Sequence, residues 1–305
     1  MMPQGVAGAG TASRAAGERL VAHVLLACTV IAVVTLAAVL AVLVREAGLF
    51  LADVSPWRFL TEITWAPAAE EARFGVLPLV VGTVQIAVGA AVFALPVGVM
   101  TAVYLHQYAS RRATRLLSGV TALMSSVPTV VYGLFALHFV TPVLQVLWPG
   151  VEAFNALSAC MVVGLMILPT VTVLSREALD SVPAPLLNAG LALGAPKGRV
   201  VARILLPAAS GGILAAVLIA MARAVGETMI VTLAAGNESR LTWSPFEGLQ
   251  TLTAFLTQLG TGDAATGTRE FQAFFAVGAV LFVGTYGIHM AGRMLVSRSV
   301  GRRGQ

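Results

Sequence analysis

Six unbroken apolar stretches, each about as long as a bilayer is thick, constrain this chain more than any motif in it: residues 20–44, 76–105, 116–140, 156–174, 207–235 and 271–296. A hydrocarbon core about 30 Å deep takes roughly 20 apolar residues in helical form. Inside it, each backbone N–H and C=O must find a partner within a helix or a closed barrel. Barrel strands would show short segments alternating apolar and polar residues, so these continuous runs predict an all-α integral membrane protein with six transmembrane helices. Composition agrees: 58% of residues are apolar, 11% are charged and the mean hydropathy is +0.88, far outside the range of a soluble domain. The first stretch exceeds a signal-peptide core and lacks a small-residue cleavage site, so it is read as retained. The expected organisation is a tail at 1–19, rich in Ala and Gly and expected to be disordered, a transmembrane domain at 20–296, and a second tail at 297–305. No internal repeat or second folded domain is apparent.

Basic residues set the expected orientation, because cytoplasmic loops carry the excess of Lys and Arg. With both termini in the cytoplasm, the inner side holds Arg14, Arg19, Arg111, Arg112, Arg115, Arg176, Lys197, Arg199, Arg203, Arg293, Arg298, Arg302 and Arg303. The outer side then holds only Arg45, Arg58, Arg73, Arg240 and Arg269. The expected location is the cell membrane, crossed several times. Contact with anionic lipid headgroups accounts for the net charge of +5 without any nucleic-acid partner. Cys28 and Cys160 fall inside apolar stretches, where small hydrophobic packing is the expected role. His23, His106, His138 and His289 show no ligand spacing, so no metal site is expected. No Ser, Cys or Asp stands in a recognisable nucleophile setting, and no cofactor or enzymatic activity is expected of the chain.

Within the fifth stretch, ARAVGETM sets Arg223 and Glu227 four residues apart, on one face of a continuous helix and near the bilayer midplane. A charge there costs at least about 2.5 to 3.5 kcal/mol on insertion scales. Two readings stand: a substrate path, in which a guanidinium fork suits a tetrahedral oxyanion and Thr228 adds a donor, or an intrahelical ion pair that locks the bundle. Gly226 beside the pair would admit a close backbone or ligand. Pro96, Pro128 and Pro169 each remove a backbone bond and can kink a helix. Around Pro128, the hydroxyls of Ser125, Ser126, Thr129 and Tyr132 either line a path or pack between helices. Gln85 is a weaker candidate of the same kind.

Between the fourth and fifth stretches lies NAGLALGAPKGRVVARILLP at 188–207, a polar and basic insert. Such an insert is where a membrane protein takes hold of a soluble engine, although a basic loop serving orientation alone is the plainer alternative. Pro183 and Pro185 suit a break, 186–193 suits one or two helical turns, and Gly194 with Pro196 ends them. Two short helices around a glycine elbow result. The only lysine, Lys197, is followed by Gly198, so the Lys-Ser/Thr end of a P-loop is missing. Any ATP hydrolysis must occur on a partner, and 175–206 is the largest cytoplasmic surface available to meet one.

This insert resembles the ATPase-docking loop of ABC importer permeases, whose pattern is E-A-A, three residues, Gly, nine residues, I-x-L-P. Asn188, Ala189 and Gly190 take the first three places, Gly194 the glycine, and Ile204, Leu206 and Pro207 the close. Asn188 and Gly190 depart from Glu and Ala. SSVPTVVYGLFAL at 125–137, ALGAPKGRVVARILLPAASGGIL at 192–214 and ARAVGETM at 222–229 are similar to the phosphate permeases PstC and PstA. The likeness runs over most of 57–296. WAPAAEEARFGVLPLVVGT at 65–83 and GETMIVTLAAGN at 226–237 look more like PstC, whereas YLHQYA at 104–109 is closer to PstA. The resemblance implies a type I importer permease bundle working by alternating access. It also implies a second permease subunit, two ATPase subunits and an extracytoplasmic phosphate-binding protein, and associates Arg223 and Glu227 with phosphate passage. A permease for molybdate or sulfate would share the loop. An ion-coupled secondary transporter, with Glu227 carrying a proton, would leave the loop unexplained. The larger outer loops, 45–75 and 236–270, carry Trp57, Trp65 and Trp243, which suit the headgroup level, and offer surfaces to a binding protein.

Overall fold

Each apolar stretch closes its backbone bonds on itself, and the outcome is a bundle of helices. The computed structural model describes residues 9–67, 69, 71–260 and 267–301. Six of its helical runs are long and apolar enough to cross a membrane: Leu20–Asp53, Leu77–Gln107, Thr129–Leu147, Ala156–Asp180, Lys197–Val225 and Arg269–Met294. The expected six-helix bundle is therefore present. Helix α1 is Ala9–Asp53, so the region read as a disordered tail is helical from Ala9; residues 1–8 lie outside the described residues. A short α2, Pro56–Thr61, leads to two two-residue strands, β1 Trp65–Ala66 and β2 Arg73–Phe74, paired antiparallel with Trp65 opposite Phe74. Trp65 is only 4% exposed. It sits in an aromatic cluster edge-on to Phe74 and Phe255, so it is core and not the headgroup anchor expected, while Trp57 and Trp243 are exposed.

Helix α3, Leu77–Gln107, packs most extensively on α7, Ala156–Asp180. Small residues make this approach close, as membrane interfaces require when lipid is as apolar as leucine. A Cβ on Gly98 would stand 2.7 Å from Val171, one on Gly89 would run into Cys160 Sγ, and one on Gly164 would stand 3.0 Å from the Ala90 carbonyl. Cys160 is thus a packing residue. Both helices run unbroken through Pro96 and Pro169.

The third stretch behaves differently. Helix α4, Arg111–Ser126, is a separate amphipathic helix. Val127 then turns extended (φ −71°, ψ 128°) and Pro128 follows at φ −59°, ψ 140°. A residue before proline is driven out of the α region, and here no neighbouring helix restores continuity. The crossing helix is consequently α5, Thr129–Phe135, continued through a π turn at Ala136–Val140 into α6, Thr141–Leu147, and not 116–140 as expected. A second π turn, Val201–Leu205, follows the short helices α8, Ala184–Ala192, and α9, Lys197–Val200. Both wide turns end two residues before a proline, Pro142 and Pro207; the ring lacks a donor and crowds the carbonyl four residues back, and a widened turn relieves the clash. Helix α10, Leu206–Val225, stops at Gly226; α11, Met229–Ala234, α12, Leu252–Gly260, and α13, Arg269–Gly301, complete the order. Helix α13 extends past 296 into the expected tail; residues 302–305 lie outside the described residues.

Candidate functional site

The fifth span is not one helix, which changes the reading of its two charges. Gly226 ends α10 at φ −86°, ψ 0°, with its N–H bonded to the Ala222 carbonyl at 3.2 Å. Arg223 therefore belongs to the last turn of α10, and Glu227 to the connection before α11, so the expected shared helix face does not exist. No ion pair joins them. Glu227 is 8% exposed, and its Oε1 accepts the Ile230 N–H at 3.2 Å, supplying one of the acceptors that the start of α11 lacks. Its carbonyl accepts the Thr253 hydroxyl at 2.7 Å, tying the break to α12. A buried carboxylate is tolerated when it is bonded, and Glu227 is bonded as a structural clamp on this break.

Arg223 is in the opposite situation. It is exposed on the single chain, and its Nε donates to Met166 Sδ of α7 at 3.1 Å. Among the described residues, its terminal nitrogens have no hydrogen-bond partner. Tyr132 lies within electrostatic reach of it. The Tyr132 hydroxyl donates to the Met124 carbonyl at 2.8 Å, bridging the Pro128 break. Gly133 lets α5 meet α11, because a Cβ there would stand 2.7 Å from Leu233 and 3.1 Å from the Met229 carbonyl. The structure thus sets the two broken segments, 125–132 and 223–229, side by side. Met166 and Tyr132 meet the Arg223 side chain, while the Thr228 hydroxyl turns back to the Gly226 carbonyl at 3.4 Å within the break itself. Nothing from another element comes within 4 Å of a Cβ on Gly226, so that side of the break is open.

The hydroxyls expected around Pro128 divide. Ser125 and Ser126 donate back along α4, to the carbonyls of Thr121 at 3.0 Å and Ala122 at 2.9 Å, and Thr129 opens α5. Ser125 lines a groove against α7 together with Arg176. Gln85 lies elsewhere; its amide reaches the carbonyls of Trp243 and Ser244 at 3.4 Å each, holding the loop between α11 and α12. Sequence reasoning missed Met166 as the neighbour of Arg223, Thr253 as that of Glu227 and Arg176 as that of Ser125. Only the charge of Arg176 was visible, and it was absorbed into the orientation argument.

The insert forms the elbow its spacing predicts. Helix α8 ends in a Schellman motif: Gly194 N–H bonds the Leu191 carbonyl at 2.9 Å and Ala195 N–H bonds the Gly190 carbonyl at 3.2 Å. Gly194 takes φ +76°, a conformation that costs any residue with a Cβ. Asn188 and Ala189 are exposed, and Gly190 is buried where α8 crosses the returning limb; a Cβ on it would stand 2.6 Å from Ile204. Leu186, Leu191 and Leu193 are exposed, Leu193 at 89%. The returning limb is tied inward. Lys197 Nζ donates to the Gln107 carbonyl at the end of α3 and sits 4.9 Å over the Tyr108 ring, while Val201 and Leu205 pack with Ala102 of α3 and Leu179 of α7. Leu206 and Pro207 then open α10.

A third polar feature organises the side that also carries Gln85's contacts. Asn155 caps α7 through the Ser158 N–H at 2.8 Å. Glu152 accepts the Gly248 N–H at 2.8 Å and binds Arg240. The Gly248 bond, assisted by Arg240, holds the Glu152 carboxyl below its ordinary 4.5. Residues 237–251 are thereby folded onto the start of α7 as a platform. Among the described residues, no His, Cys, Asp or Glu cluster could hold a metal ion.

These features have close counterparts. Residues 94–298 match the family described as binding-protein-dependent transport system inner membrane component. The chain is similar to the probable ABC transporter permease protein YqgH of Bacillus subtilis, at 33% identity over 80% of this chain and 79% of that one. It is also similar to the phosphate transport system permease protein PstC of Mesorhizobium japonicum, at 30% identity over 81% and 80%. Among solved structures, a bacterial alginate ABC transporter in complex with its pentasaccharide-bound periplasmic protein superposes with a TM-score of 0.64, covering 93% of this chain and 96% of the other at 14% identity, a likeness of fold. With the match spanning most of the bundle, the elbow at 188–207 and the broken fifth span, the chain belongs to the binding-protein-dependent transport system inner membrane components, the permeases of ABC importers.

Proposed function

We propose that this permease carries inorganic phosphate inward, and that Arg223 is the group the anion meets within the membrane. The observation that carries this reading is the exposed guanidinium in the last turn of α10, before the break at Gly226, with Tyr132 in electrostatic reach and, among the described residues, no hydrogen-bond partner for its terminal nitrogens. Fixed, forked donors suit a tetrahedral oxyanion, and similarity to phosphate permeases selects phosphate among such anions. Because Arg223 faces out of the single chain, a second permease subunit closes the path on that side. Ser125, Ser126 and Thr129 line it toward the cytoplasm.

The elbow at 188–207 seats one of two ATPase subunits through the exposed leucines and Asn188. When the ATPases close, motion passes through Val201 and Leu205 to α3 and α7, and through Pro207 into α10, which carries Arg223. The bundle opens outward and receives phosphate from an extracytoplasmic binding protein seated on the platform of 237–251. Both termini lie in the cytoplasm, in keeping with the basic residues of 197–203. Binding at Arg223 must be weak, since a deep well would hold its cargo. Membership in a binding-protein-dependent family, together with a Glu227 engaged by backbone, sets aside ion-coupled transport.

The test is uptake of radiolabelled phosphate by the assembled transporter. Arg223→Gln is expected to abolish saturable uptake while ATPase subunits still copurify, and excess sulfate or molybdate leaves wild-type uptake intact. Unimpaired uptake by Arg223→Gln would refute the role of Arg223; transport of a competitor in place of phosphate would reassign the cargo.

A further inference from the structure

We propose that the groove between α4 and α7 is a second oxyanion station on the cytoplasmic side of the path, with Arg176 as its donor. The inference rests on the phosphate reading and extends it to the exit. Two polar stripes face each other across the groove. Helix α4 contributes Ser118, Thr121 and Ser125, spaced i, i+3, i+7, and α7 contributes Thr172, Arg176 and Asp180, spaced i, i+4, i+8. Each set lies on one helix face. Between them, with Leu105, Ala122 and Val173 completing the wall, runs a half-open groove of about 340 Å³, room for a tetrahedral anion with part of its hydration.

Arg176 is poised for such a guest. Its Nε is 3.8 Å from Asp180 Oδ2, too far for a hydrogen bond, and its terminal nitrogens have no hydrogen-bond partner among the described residues. Asp180 is engaged on its other oxygen, with His106 Nε2 at 3.3 Å from Oδ1. The hydroxyls of Thr121, Ser125 and Thr172 donate to carbonyls of their own helices. Each can turn to an anion by giving up that local bond. Toward its start, the same face of α4 continues to Arg115 and Arg111, a basic mouth that raises local anion concentration. Asp180 and Glu177 oppose Arg176 within the groove, which keeps occupancy brief and suits a station for release.

The network also reaches the docking elbow. The Gln107 amide lies 2.8 Å from His106 Nδ1, and the Gln107 carbonyl receives Lys197 of the elbow. Movement of the elbow therefore bears on His106, and through it on whether Asp180 is free to compete for Arg176.

The experiment uses the assembled transporter in inside-out vesicles, with Ala122→Cys as a reporter in the groove wall and Cys28→Ala removing the exposed native thiol. The rate of modification by a charged methanethiosulfonate added to the cytoplasmic face is read against inorganic phosphate. Phosphate is expected to slow modification several-fold, Arg176→Gln to remove that protection, Arg176→Lys to restore part of it, and Asp180→Asn to give protection at several-fold lower phosphate. A rate indifferent to phosphate in a transporter that imports phosphate would overturn the station and leave the transport reading intact. Protection by sulfate or molybdate in a transporter that imports no phosphate would support the station and refute the cargo. Protection undiminished in both Arg176 variants would overturn the assignment of the donor.

Discussion

Gly194 offers a clean test of the proposal that the elbow, through its shape and not its composition, couples this permease to an ATPase. Its φ of +76° lies in the left-handed region, where a residue with a Cβ pays about 1 to 2 kcal/mol. No atom lies within 4 Å of the place a Cβ would take, so substitution brings no clash and acts through backbone conformation alone. Gly194→Ala is expected to shift the elbow's equilibrium by that amount, a factor of about 5 to 30. If only the native elbow docks, apparent affinity for the ATPase falls by up to the same factor. Asparagine tolerates the left-handed region better than alanine, so the order expected is Gly, Asn, Ala, then the β-branched Val. The assay is titration of ATPase subunits onto the permease in nanodiscs, with phosphate uptake measured in parallel. Thermal stability of the bundle should stay unchanged, since the site touches nothing. Equal affinity across Gly194, Asn, Ala and Val would refute the reasoning.

Packing and titration give two further expectations. Gly98→Ala forces a Cβ to within 2.7 Å of Val171 on the main helix pair; overpacking of this kind costs about 1 to 3 kcal/mol, read as a lowered melting temperature in detergent, whereas Gly119→Ala, with nothing within 4 Å, leaves it unchanged. Glu152 has a folded pKa held below its ordinary 4.5, chiefly by the Gly248 N–H. Its contribution is present above the unfolded pKa and is lost as pH falls through the lower, folded one. Hydrogen exchange of 237–251 should therefore accelerate as pH drops below about 4.5, after correction for intrinsic rates, and Glu152→Gln should remove that pH dependence.

The number of spans was legible because it depends on a sum over each segment. Roughly 20 apolar residues repay the transfer of a helix into lipid whatever their neighbours are. The elbow was legible for a related reason: a Schellman cap is a local motif, and glycine is the residue that adopts it without cost. At the candidate site the expected geometry was wrong. Arg223 and Glu227 are four apart in sequence, and periodicity alone places them on one face. The structure instead ends α10 at Gly226 and bonds Glu227 to the Ile230 N–H and the Thr253 hydroxyl. Thr253 lies 26 residues downstream, beyond the reach of any local pattern. Trp65 was misplaced similarly, because it is buried between Phe74 of the paired strand β2 and Phe255 of the distant α12.

Sequence by itself determined the class of solvent this chain folds in, its count of helices, and the conformation of Gly194, since each follows from transfer energy or backbone sterics within one segment. Tertiary structure decided which prolines break a helix. Pro96 and Pro169 sit in α3 and α7, which pack closely along each other and run on, whereas Val127 and Pro128 part α4 from α5. It likewise decided that the Glu227 carboxylate is bonded, to the Ile230 N–H, while among the described residues the terminal nitrogens of Arg223 and Arg176 have no hydrogen-bond partner. A buried charge takes whatever partner the surrounding helices bring within about 3 Å, and those partners come from distant parts of the chain.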